Sequence, residues 1–533
     1  MRASSLFRRT GAASIAVALA AMVLSACASS TTGATSSRPR LSSGGTLSIG
    51  IPTAPSALDP STEATFVGHW VFANMCYGLY GFNSKNDVIP VLATQLPAIT
   101  DGGLLYTIHL RTGVKFNDGT TMTAQAVKVS LRRDQTLPTS ARATALADIT
   151  SITVVNPTTV QLRLSQVDAP LTSILASRSG IVMSPTALAR EGAAFGDHPV
   201  CVGPFEFQSR PSIDEIILTR SPYFYGPKPH IQTVVYHVIT DPATCYTDLL
   251  SGFIQVAECL APNDVKLLST NSQYQVKQVT SDGYQMIVIN VGNIHGSTKA
   301  YGVANNPLAR HPLLRQALAM AIDRSTINSV VYDGTMAPGC SPIPPSSPYF
   351  TKIPCPKYDP AEAKRLVQQS GAKTPVNLTL MVGTGTLNVT LGEVIADEAR
   401  AAGFNITVQP TSGTTAEADA ASGNFEMYAA GWSGRIDPDQ NISIWYAPGS
   451  FLNFSGADYP SLNALLAAGR QTENVARRRA IYAQVVRFLN SEEDSIYLFY
   501  TTYQIAYPKT VAGLVFDPNG NLMLAEAGFK TKR

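Results

Sequence analysis

The chain has 533 residues, of which 45% are hydrophobic and 14% are charged, with 40 Lys and Arg against 37 Asp and Glu. Removal of residues 1–26 would take away three arginines and no acid, which leaves 37 basic and 37 acidic side chains. Because nucleic-acid binding relies on an excess of Lys and Arg, this balance argues against a nucleic-acid partner. The part of the chain that follows residue 45, about 490 residues, is long enough for two or three parts with their own hydrophobic cores.

The first 26 residues have the pattern of an export signal. Three arginines precede an uncharged run at 12–24, which is shorter than the roughly 20 residues that a membrane-spanning helix needs. The run ends in the letters LSAC at 24–27, the pattern of a lipobox, so Cys27 is predicted to carry a lipid after cleavage. A plain signal peptide with an incidental cysteine is one alternative, and a twin-arginine signal at Arg8-Arg9 is another.

Residues 27–45 are predicted to form a flexible tether. Ser, Thr and Gly supply twelve of the eighteen positions from 28 to 45, a composition that cannot build a core and that behaves as a flexible coil. The protein is therefore expected to be exported and anchored to a membrane by its lipid, in the periplasm or on the cell surface, and not to span the membrane.

Six cysteines follow Cys27. An even number in an exported protein permits disulfides, with fifteen possible pairings. Cys340 and Cys355 bracket a proline-rich loop and Cys245 and Cys259 bracket a helix-like stretch, so these two pairs are favoured, with buried free thiols as the alternative. No CxxC motif or Cys/His cluster is present, so neither a metal site nor a cofactor is predicted.

The predicted elements alternate between strands and helices. In the first half they are strands at 45–52, 106–111, 152–155, 160–164, 203–207 and 234–239, with helices that begin at Thr123 and after Asp241. In the second half they are strands at 285–290, 376–382, 406–409 and 495–507, with helices at 312–322, 359–371, 389–402 and 474–489. The final segment 511–516 is expected to rejoin the first lobe. The helix at 359–371 has the firmest signals, because an Asp N-cap, a proline at the first helical position and a glycine after the end all agree. This order is typical of an α/β protein.

No catalytic constellation is found. The stretch Gly431-Trp432-Ser433-Gly434 is not the Gly-x-Ser-x-Gly of a hydrolase. Asp437 and Asp439 could serve acid/base chemistry, but two acids around a proline turn more often cap a helix or the turn. An enzyme is therefore not predicted.

Several long motifs, in a fixed order from about residue 44 to the C-terminus, resemble family 5 extracellular solute-binding proteins, the peptide and nickel receptors of ABC importers. The motifs are YTIHLRTGVKFNDGTTMTAQAV at 106–127, GPF at 203–205, LLSG at 249–252, LRQALAMAIDR at 314–324, YDPAEA at 358–363, and GW at 431–432 followed by Asp437-Pro438.

The resemblance implies a two-lobed α/β fold of the periplasmic-binding-protein kind, type II and cluster C, with an extra subdomain in lobe I. Lobe I is then 46–289 with 501–533, and lobe II is 290–500. The chain is expected to cross between them near 285–290 and near 497–507, which gives two hinge strands. A small, peptide-like solute would be held between closing lobes of a monomer and passed to a membrane permease and its ATPase.

The same resemblance gives a hypothesis for the loop after Gly431-Trp432. In peptide-binding relatives this loop contributes an Asp that binds the ligand's α-ammonium group. Here Arg435 stands where that acid is expected, and the next acid is Asp437. An arginine would favour a carboxylate or another anion, and Trp432 could stack on the ligand. The alternative is that Arg435 pairs with Asp437 or Asp439 inside the loop.

On the facing lobe, the candidates for the opposite wall of the cleft are Thr62, Glu63, Tyr77 and Arg178. Their structural alternative is a role in surface loops or hairpin caps. The alternative for the whole protein is an interaction or regulatory lipoprotein of the envelope that reuses the fold, which would show no stabilisation by a solute. Nickel or haem binding exists in the family, but the seven histidines of this chain are scattered.

Overall fold

The computed structural model describes residues 40–531, so the predicted signal peptide, Cys27 and most of the predicted tether lie outside the described residues. The strands in this part of the chain are β1 (Thr46–Ile51), β2 (Tyr80–Phe82), β3 (Val88–Pro90), β4 (Ala98–Thr100), β5 (Leu105–His109), β6 (Ile149–Asn156), β7 (Thr159–Leu164), β8 (Phe205–Ser212), β9 (Glu215–Arg220), β10 (Thr233–Val238), β11 (Val256–Ala257), β12 (Tyr274–Ile289), β13 (Ala337–Pro338), β14 (Val376–Gly383), β15 (Phe404–Thr411), β16 (Met427–Trp432), β17 (Ser495–Pro508), β18 (Val511–Ala512), β19 (Val515–Phe516), β20 (Leu522–Met523) and β21 (Gly528–Phe529).

The α-helices are α1 (Phe66–Met75), α2 (Ala124–Thr136), α3 (Leu171–Ile174), α4 (Pro185–Glu191), α5 (Pro242–Ser251), α6 (Pro262–Thr270), α7 (Pro307–Arg310), α8 (Pro312–Ala321), α9 (Arg324–Tyr332), α10 (Pro360–Gln369), α11 (Thr386–Arg400), α12 (Gly413–Ser422), α13 (Pro438–Tyr446), α14 (Pro460–Arg470) and α15 (Val475–Glu492). Four short 3-10 helices lie at Asp101–Gly103, Thr144–Leu146, Arg178–Gly180 and Gly192–Asp197.

Helix starts follow the local capping signals. Asp359 accepts a hydrogen bond from the Glu362 backbone N–H at 3.0 Å, and Pro360 occupies the first position of α10. Asp241 caps α5 in the same way, through the Thr244 backbone N–H at 2.7 Å. Because these side chains satisfy backbone donors that have no partner inside the helix, the chain can begin a helix at each site.

Most strands join one mixed sheet in the order β15-β14-β16-β12-β17-β11-β1-β10-β9-β8, with β13 added beside β17. Strand β14 runs parallel to β15 and β16, and β1 runs parallel to β10 and β11. The long strands β12 and β17 are antiparallel and stand between these two parallel groups. The fold is therefore a mixed α/β arrangement, as the sequence predicts.

Strand β12 begins at Tyr274, well before the position 285 predicted from the apolar run. It pairs with β17 from Tyr274 opposite Pro508 to Val288 opposite Ser495, with an irregularity between Thr280 and Tyr284. The early part of β12 is polar and partly exposed, so it lacks the continuous apolar signal on which the sequence prediction relied. Its pairing with β17 is a long-range contact that no local pattern reports.

The buried apolar side chains form separate clusters. The first core, which includes Leu47, Phe72 and Ile505, draws on β1, α1, β8 to β10 and the C-terminal segment. The two faces of the sheet around β12 carry two further cores, because Ile287 points into one and Met286 into the other. Both of these cores are built from residues between 284 and 500, and none of their members belongs to the first core.

A fourth core lies under a smaller sheet with the strand order β4-β5-β7-β6. Helix α2 packs on this sheet through Val127 and Leu131, which are buried with Tyr106 and Leu162. All the members of this core lie between residues 79 and 202. Residues between 79 and 202 thus build a packed core of their own.

Three disulfides link the six cysteines that follow Cys27. They join Cys76 to Cys201, Cys245 to Cys259 and Cys340 to Cys355. The last two are the pairs that the sequence favours. The first joins residues 125 positions apart, a separation for which the sequence offers no local signal. Among residues 40–531, no helix is long and apolar enough to cross a membrane.

Candidate functional site

The loop after β16 is fixed against an irregular point of β12. Trp432 is the last residue of β16 and lies opposite Tyr284. Gly434 follows with φ +80°, and a Cβ atom there would lie 2.1 Å from the backbone carbon of Asp282. Only glycine accepts both the left-handed conformation and this close approach. The path of the loop beyond β16 is therefore fixed at Gly434, and this fixes the backbone position of the next residue, Arg435.

Asn441 on α13 holds this loop from behind. Its Oδ1 accepts hydrogen bonds from the Trp432 Nε1–H at 2.9 Å and from the Arg435 backbone N–H at 2.6 Å. Its Nδ2 donates to the Arg435 carbonyl oxygen at 2.7 Å. Trp432 also packs edge-on against Trp445, with ring centres 5.9 Å apart. Asn441 was not a sequence candidate, and its position six residues after Arg435 gives no motif that would single it out.

Asp437 is buried in an ion pair outside the loop. Both of its carboxylate oxygens accept hydrogen bonds from the Arg478 guanidinium, at 2.7 and 2.8 Å, and both side chains are 2% exposed. Asp437 also caps α13 through the Asp439 backbone N–H at 3.0 Å. These contacts favour a structural role for Asp437 over the ligand-binding role that the sequence suggests, because its acceptors are engaged by the protein.

Asp439 is also paired away from the loop. It accepts hydrogen bonds from the Arg470 Nε at 2.9 Å and from the Ser443 Oγ at 2.6 Å. The alternative in which Arg435 pairs with Asp437 or Asp439 is therefore wrong, since each of the two acids has a different arginine as its partner.

Arg435 itself forms no ion pair with an acidic side chain in the described part of the chain. Its guanidinium lies over the Trp432 ring, 4.7 Å from the ring centre, and donates to the Gly434 carbonyl oxygen and to the Ser433 Oγ. Among residues 40–531, no carboxylate oxygen lies within 4.0 Å of it. Burial and the charge of Arg142 lower the pKa of Arg435 to about 10, so the side chain is still positive at neutral pH.

Two further buried arginines point toward the same region. Arg178 donates to the Thr65 carbonyl oxygen at 2.9 Å, and Arg142 donates to the Glu63 carbonyl oxygen. They are 3% and 6% exposed, and in the described part of the chain neither has a carboxylate within 4.0 Å. Arg142 was missed by the sequence analysis, because it lies in an irregular loop after α2 with no motif around it.

The positive charges of Arg142, Arg178 and Arg435 act on the same neighbouring groups and on one another. Burial lowers the pKa of His69 well below its usual value, and the charges of Arg178, Arg435 and Arg142 lower it further. Burial, then Arg435 and Arg142, likewise lower the pKa of Arg178. We call Arg142, Arg178 and Arg435 the arginine cluster. Three like charges in a poorly solvated place repel one another, so the cluster favours an anion.

Glu63 supports the cluster through the backbone. Its fully buried carboxylate accepts hydrogen bonds from the Ser56 Oγ and from the backbone N–H groups of Ala57 and Thr65, each at 2.6 Å. These bonds fix the loop whose carbonyl oxygens receive Arg142 and Arg178. The negative charges of Asp134 and then of Glu63 oppose the lowering of the Arg142 pKa, and the charge of Glu63 also opposes the lowering of the Arg178 pKa.

The other two sequence candidates are less closely tied to this group. Thr62 is half-buried beside Glu63, and its backbone N–H donates to the Asp59 carbonyl oxygen at 3.1 Å. Tyr77 packs edge-on against Phe224, with ring centres 5.7 Å apart. Burial and the neighbouring Tyr225 raise the pKa of Tyr77. The Tyr77 ring therefore belongs to a different neighbourhood from the arginine cluster.

The arrangement offers positive charge and hydrogen-bond donors. In the described range 40–531, no group of three or more His, Cys, Asp or Glu side chains is placed to hold a metal ion. The arginine cluster presents forked donors of the kind that bind carboxylates. Donors of this kind suit a negatively charged group.

Comparison with known proteins gives relatives along most of the chain. The glutathione-binding protein GsiB of Salmonella paratyphi A is 26% identical over 489 residues, which cover 89% of this chain and 92% of that protein. The GsiB protein of Escherichia coli O1:K1 / APEC is 25% identical over 485 residues, covering 88% and 92%.

Solved structures have the same fold. The periplasmic binding protein DppA from Helicobacter pylori, in complex with the peptide STSA, superposes with a TM-score of 0.80 at 21% identity, covering 92% of this chain and 99% of that one. AgaA from A. tumefacien R10, in complex with agropinic acid, gives a TM-score of 0.77 at 23% identity, covering 92% and 99%. The model of bacterial extracellular solute-binding proteins, family 5 (middle region), matches residues 87–453. This chain therefore belongs to the family 5 bacterial extracellular solute-binding proteins.

Proposed function

We propose that this protein binds a small, anionic, peptide-like solute at the arginine cluster and delivers it to the permease and ATPase of an ABC importer. The observation that carries the proposal is the meeting of Arg142, Arg178 and Arg435 without a carboxylate partner within 4.0 Å in residues 40–531. Buried charges in proteins are normally paired. A carboxylate of the solute would supply the missing partner.

The position of the arginines along the chain suggests how binding is coupled to closure. Arg142 and Arg178 come from the part of the chain that precedes β12, and Arg435 comes from the part between β12 and β17. The predicted lobe I (46–289 with 501–533) would supply Arg142 and Arg178. The predicted lobe II (290–500) would supply Arg435. An anion held by all three would draw the lobes together about the two long strands, which we propose as the hinge.

The named relatives agree with this class of solute. Glutathione and the peptide STSA are peptides with a free carboxylate, and agropinic acid is an acid. The family resemblance also supports a monomeric receptor that is exported and held to the membrane by a lipid on Cys27. We propose no catalytic role.

The test is isothermal titration calorimetry of the purified full-length protein with matched solutes. Tri-alanine and glutathione would be compared with their C-terminally amidated forms, which lack the terminal negative charge. Since a hydrogen bond to a charged group contributes more than a neutral one, we expect the free acids to bind at least about tenfold more tightly. Equal affinity for acid and amide would contradict anion recognition. If no solute binds, the alternative of an interaction or regulatory lipoprotein is favoured.

A further inference from the structure

One end of the main sheet carries the loop between β9 and β10, residues 221–232. Strand β1 begins at Thr46 beside Thr233, the first residue of the parallel strand β10. Strand β9 is antiparallel to β10 and ends at Arg220, next to the start of β10. The loop 221–232 therefore lies at the same end of the sheet as the segment that precedes β1.

The segment before β1 is packed against this loop and against the C-terminal segment. The Gly44 N–H donates a hydrogen bond to the His230 carbonyl oxygen at 2.7 Å, and the Ser42 N–H donates to the Phe529 carbonyl oxygen at 2.8 Å. The last residues of the predicted tether are therefore held at this end of the sheet.

Two tyrosines of the loop point outward and lie beside cations. Tyr223 and Tyr225 are 41% and 38% exposed. The Lys115 ammonium group lies over the Tyr223 ring, 5.7 Å from its centre, and the Arg111 guanidinium lies over the Tyr225 ring at 5.6 Å. The Tyr225 hydroxyl also donates to the Val91 carbonyl oxygen at 3.3 Å. These contacts bring the turn at 111–119 onto the same surface as the loop.

This surface has an excess of positive charge. The segments that form it are 40–45, 111–119, 205–207, 220–232 and 526–531. Their cations are Arg40, Arg111, Lys115, Arg220, Lys228 and Lys530, and all except the half-buried Arg220 are exposed. Their acids are Asp118, Glu206 and Glu526. In the described part of the chain, none of the six cations forms an ion pair with a carboxylate. We call these five segments the basic surface.

The charge and the aromatic residues of the basic surface fit an anionic bilayer. Lys and Arg close to a membrane are attracted by its anionic headgroups. A tyrosine ring has an apolar body and a polar tip, so it is favoured at the level of the headgroups. The chain that follows residue 26 has equal numbers of basic and acidic side chains, so attraction to an anionic membrane requires a local excess of this kind.

The place at which the described chain begins favours the same partner. Cys27 lies thirteen residues before Arg40, and a chain of that length spans at most about 45 Å. A lipid on Cys27 would therefore keep the basic surface within that distance of the bilayer.

We propose that the basic surface rests on the anionic headgroups of the membrane that holds the lipid on Cys27. The inference rests on the membrane attachment in the proposed function and extends it, because it specifies which face of the protein is turned toward the membrane.

The experiment measures the partition of the full-length protein into vesicles by flotation. One set of vesicles is pure phosphatidylcholine, which is neutral, and the other has two parts phosphatidylcholine to one part phosphatidylglycerol, which is anionic. At low salt we expect the anionic vesicles to bind the protein at least about tenfold more strongly than the neutral ones. High salt should remove this preference, because it screens the charges.

The triple variant Lys115→Gln/Lys228→Gln/Lys530→Gln should lose most of the preference for anionic vesicles. The matched control is Lys352→Gln/Lys357→Gln/Lys364→Gln, which makes the same change in net charge at three other exposed lysines. The control should keep the preference. A wild-type protein without a preference, or an equal loss in the two triple variants, would overturn the inference.

Two further measurements separate this inference from the rest of the proposed function. In calorimetry with tri-alanine, the Lys115/Lys228/Lys530 variant should bind like the wild type. If tri-alanine and glutathione bind to neither protein, the proposed solute recognition fails, and the flotation result still decides the role of the basic surface. If the full-length protein binds neither kind of vesicle, the lipid anchor and this inference fail together.

The other partner that could occupy the basic surface is the permease. If the Lys115/Lys228/Lys530 variant partitions like the control but no longer supports solute uptake by cells that carry the permease, the surface contacts the permease. That outcome would overturn the inference.

Discussion

The guanidinium group of Arg435 lies over the indole ring of Trp432, 4.7 Å from its centre, and both residues are held by the side chain of Asn441. Trp432 thus shields one face of the arginine and limits its rotation. Because a planar guanidinium that is already oriented loses little freedom on binding, this stack would favour the carboxylate contact that we propose for Arg435.

We first predict that Arg435→Ala weakens binding of tri-alanine by about tenfold or more, since it removes one charged donor from the arginine cluster. The C-terminal amide of tri-alanine should lose much less affinity, and titration calorimetry measures both. Arg210→Ala is the matched control, because Arg210 is also half-buried and donates only to carbonyl oxygens. Unchanged affinity of Arg435→Ala for the free acid would remove Arg435 from the site.

A second prediction concerns Gly434. Alanine at this position would place its Cβ atom 2.1 Å from the Asp282 backbone and would have to adopt φ +80°. We expect Gly434→Ala to lower the free energy of unfolding by about 1–3 kcal/mol and to weaken solute binding, because the loop that carries Arg435 must shift. Urea denaturation and calorimetry measure the two effects.

Gly413→Ala serves as the comparison for this variant, since a Cβ atom there has nothing within 4 Å and its backbone is not in the left-handed region. Gly413→Ala should leave the free energy of unfolding and the affinity for the solute nearly unchanged. A Gly434→Ala protein with normal stability and normal affinity would show that the loop position does not depend on this close approach.

Local signals predicted the secondary structure well, and long-range contacts explain what they missed. The helix predicted at 359–371 is α10 (Pro360–Gln369), because its cap, its proline and its final glycine all act within a few residues. The polar start of β12 was missed because it is stabilised by pairing with β17, which lies more than 200 residues later. Its alternation of apolar and polar residues covers only Tyr274 to Lys277, which is too short to predict a 16-residue strand.

Only some residues of the candidate site could be selected from the sequence, because local patterns do not report long-range contacts. Arg435 and Arg178 were selected from the family motif and from a turn, and the structure gives them a shared electrostatic environment. Arg142 was not selected, since it lies in an irregular loop and comes near the other two arginines only in three dimensions. Asp437 was assigned to the ligand because its partner, Arg478, lies 41 residues away and no local pattern links the two.

The Asp437–Arg478 pair leads to a third prediction. Arg478→Ala would leave the Asp437 carboxylate buried and without its partner, and loss of one member of a buried ion pair costs about 3–5 kcal/mol. We expect a loss of that size in the free energy of unfolding, measured by urea denaturation. Arg365→Ala, which breaks an exposed pair with Glu362 on α10, should have little effect. Similar losses in the two variants would contradict the structural role of Asp437.

The last prediction is a pH dependence that arises at Asp282, in the irregular part of β12. Burial raises the pKa of Asp282 to about 7; the hydrogen bond from the Ser346 Oγ at 3.0 Å opposes that rise, and the charge of Asp517 adds to it. The other carboxylate oxygen is buried without a partner in the described residues. In the unfolded chain the pKa of an aspartate is about 4.

Between about pH 4 and pH 7 the folded protein therefore holds a proton at Asp282 that the unfolded chain has released. The stabilising contribution of this proton is fully present below pH 4 and is lost as the pH rises toward 7. Asp282→Asn keeps a neutral donor at all pH values, so we expect it to raise the melting temperature at pH 8 and to change it little at pH 4. Differential scanning calorimetry at the two pH values measures this difference. Asp397→Asn, at an exposed pair with Arg400, is the control and should leave the melting temperature unchanged at both pH values. If Asp282→Asn also leaves it unchanged, the buried carboxyl group of Asp282 is ionised throughout this range and the prediction is wrong.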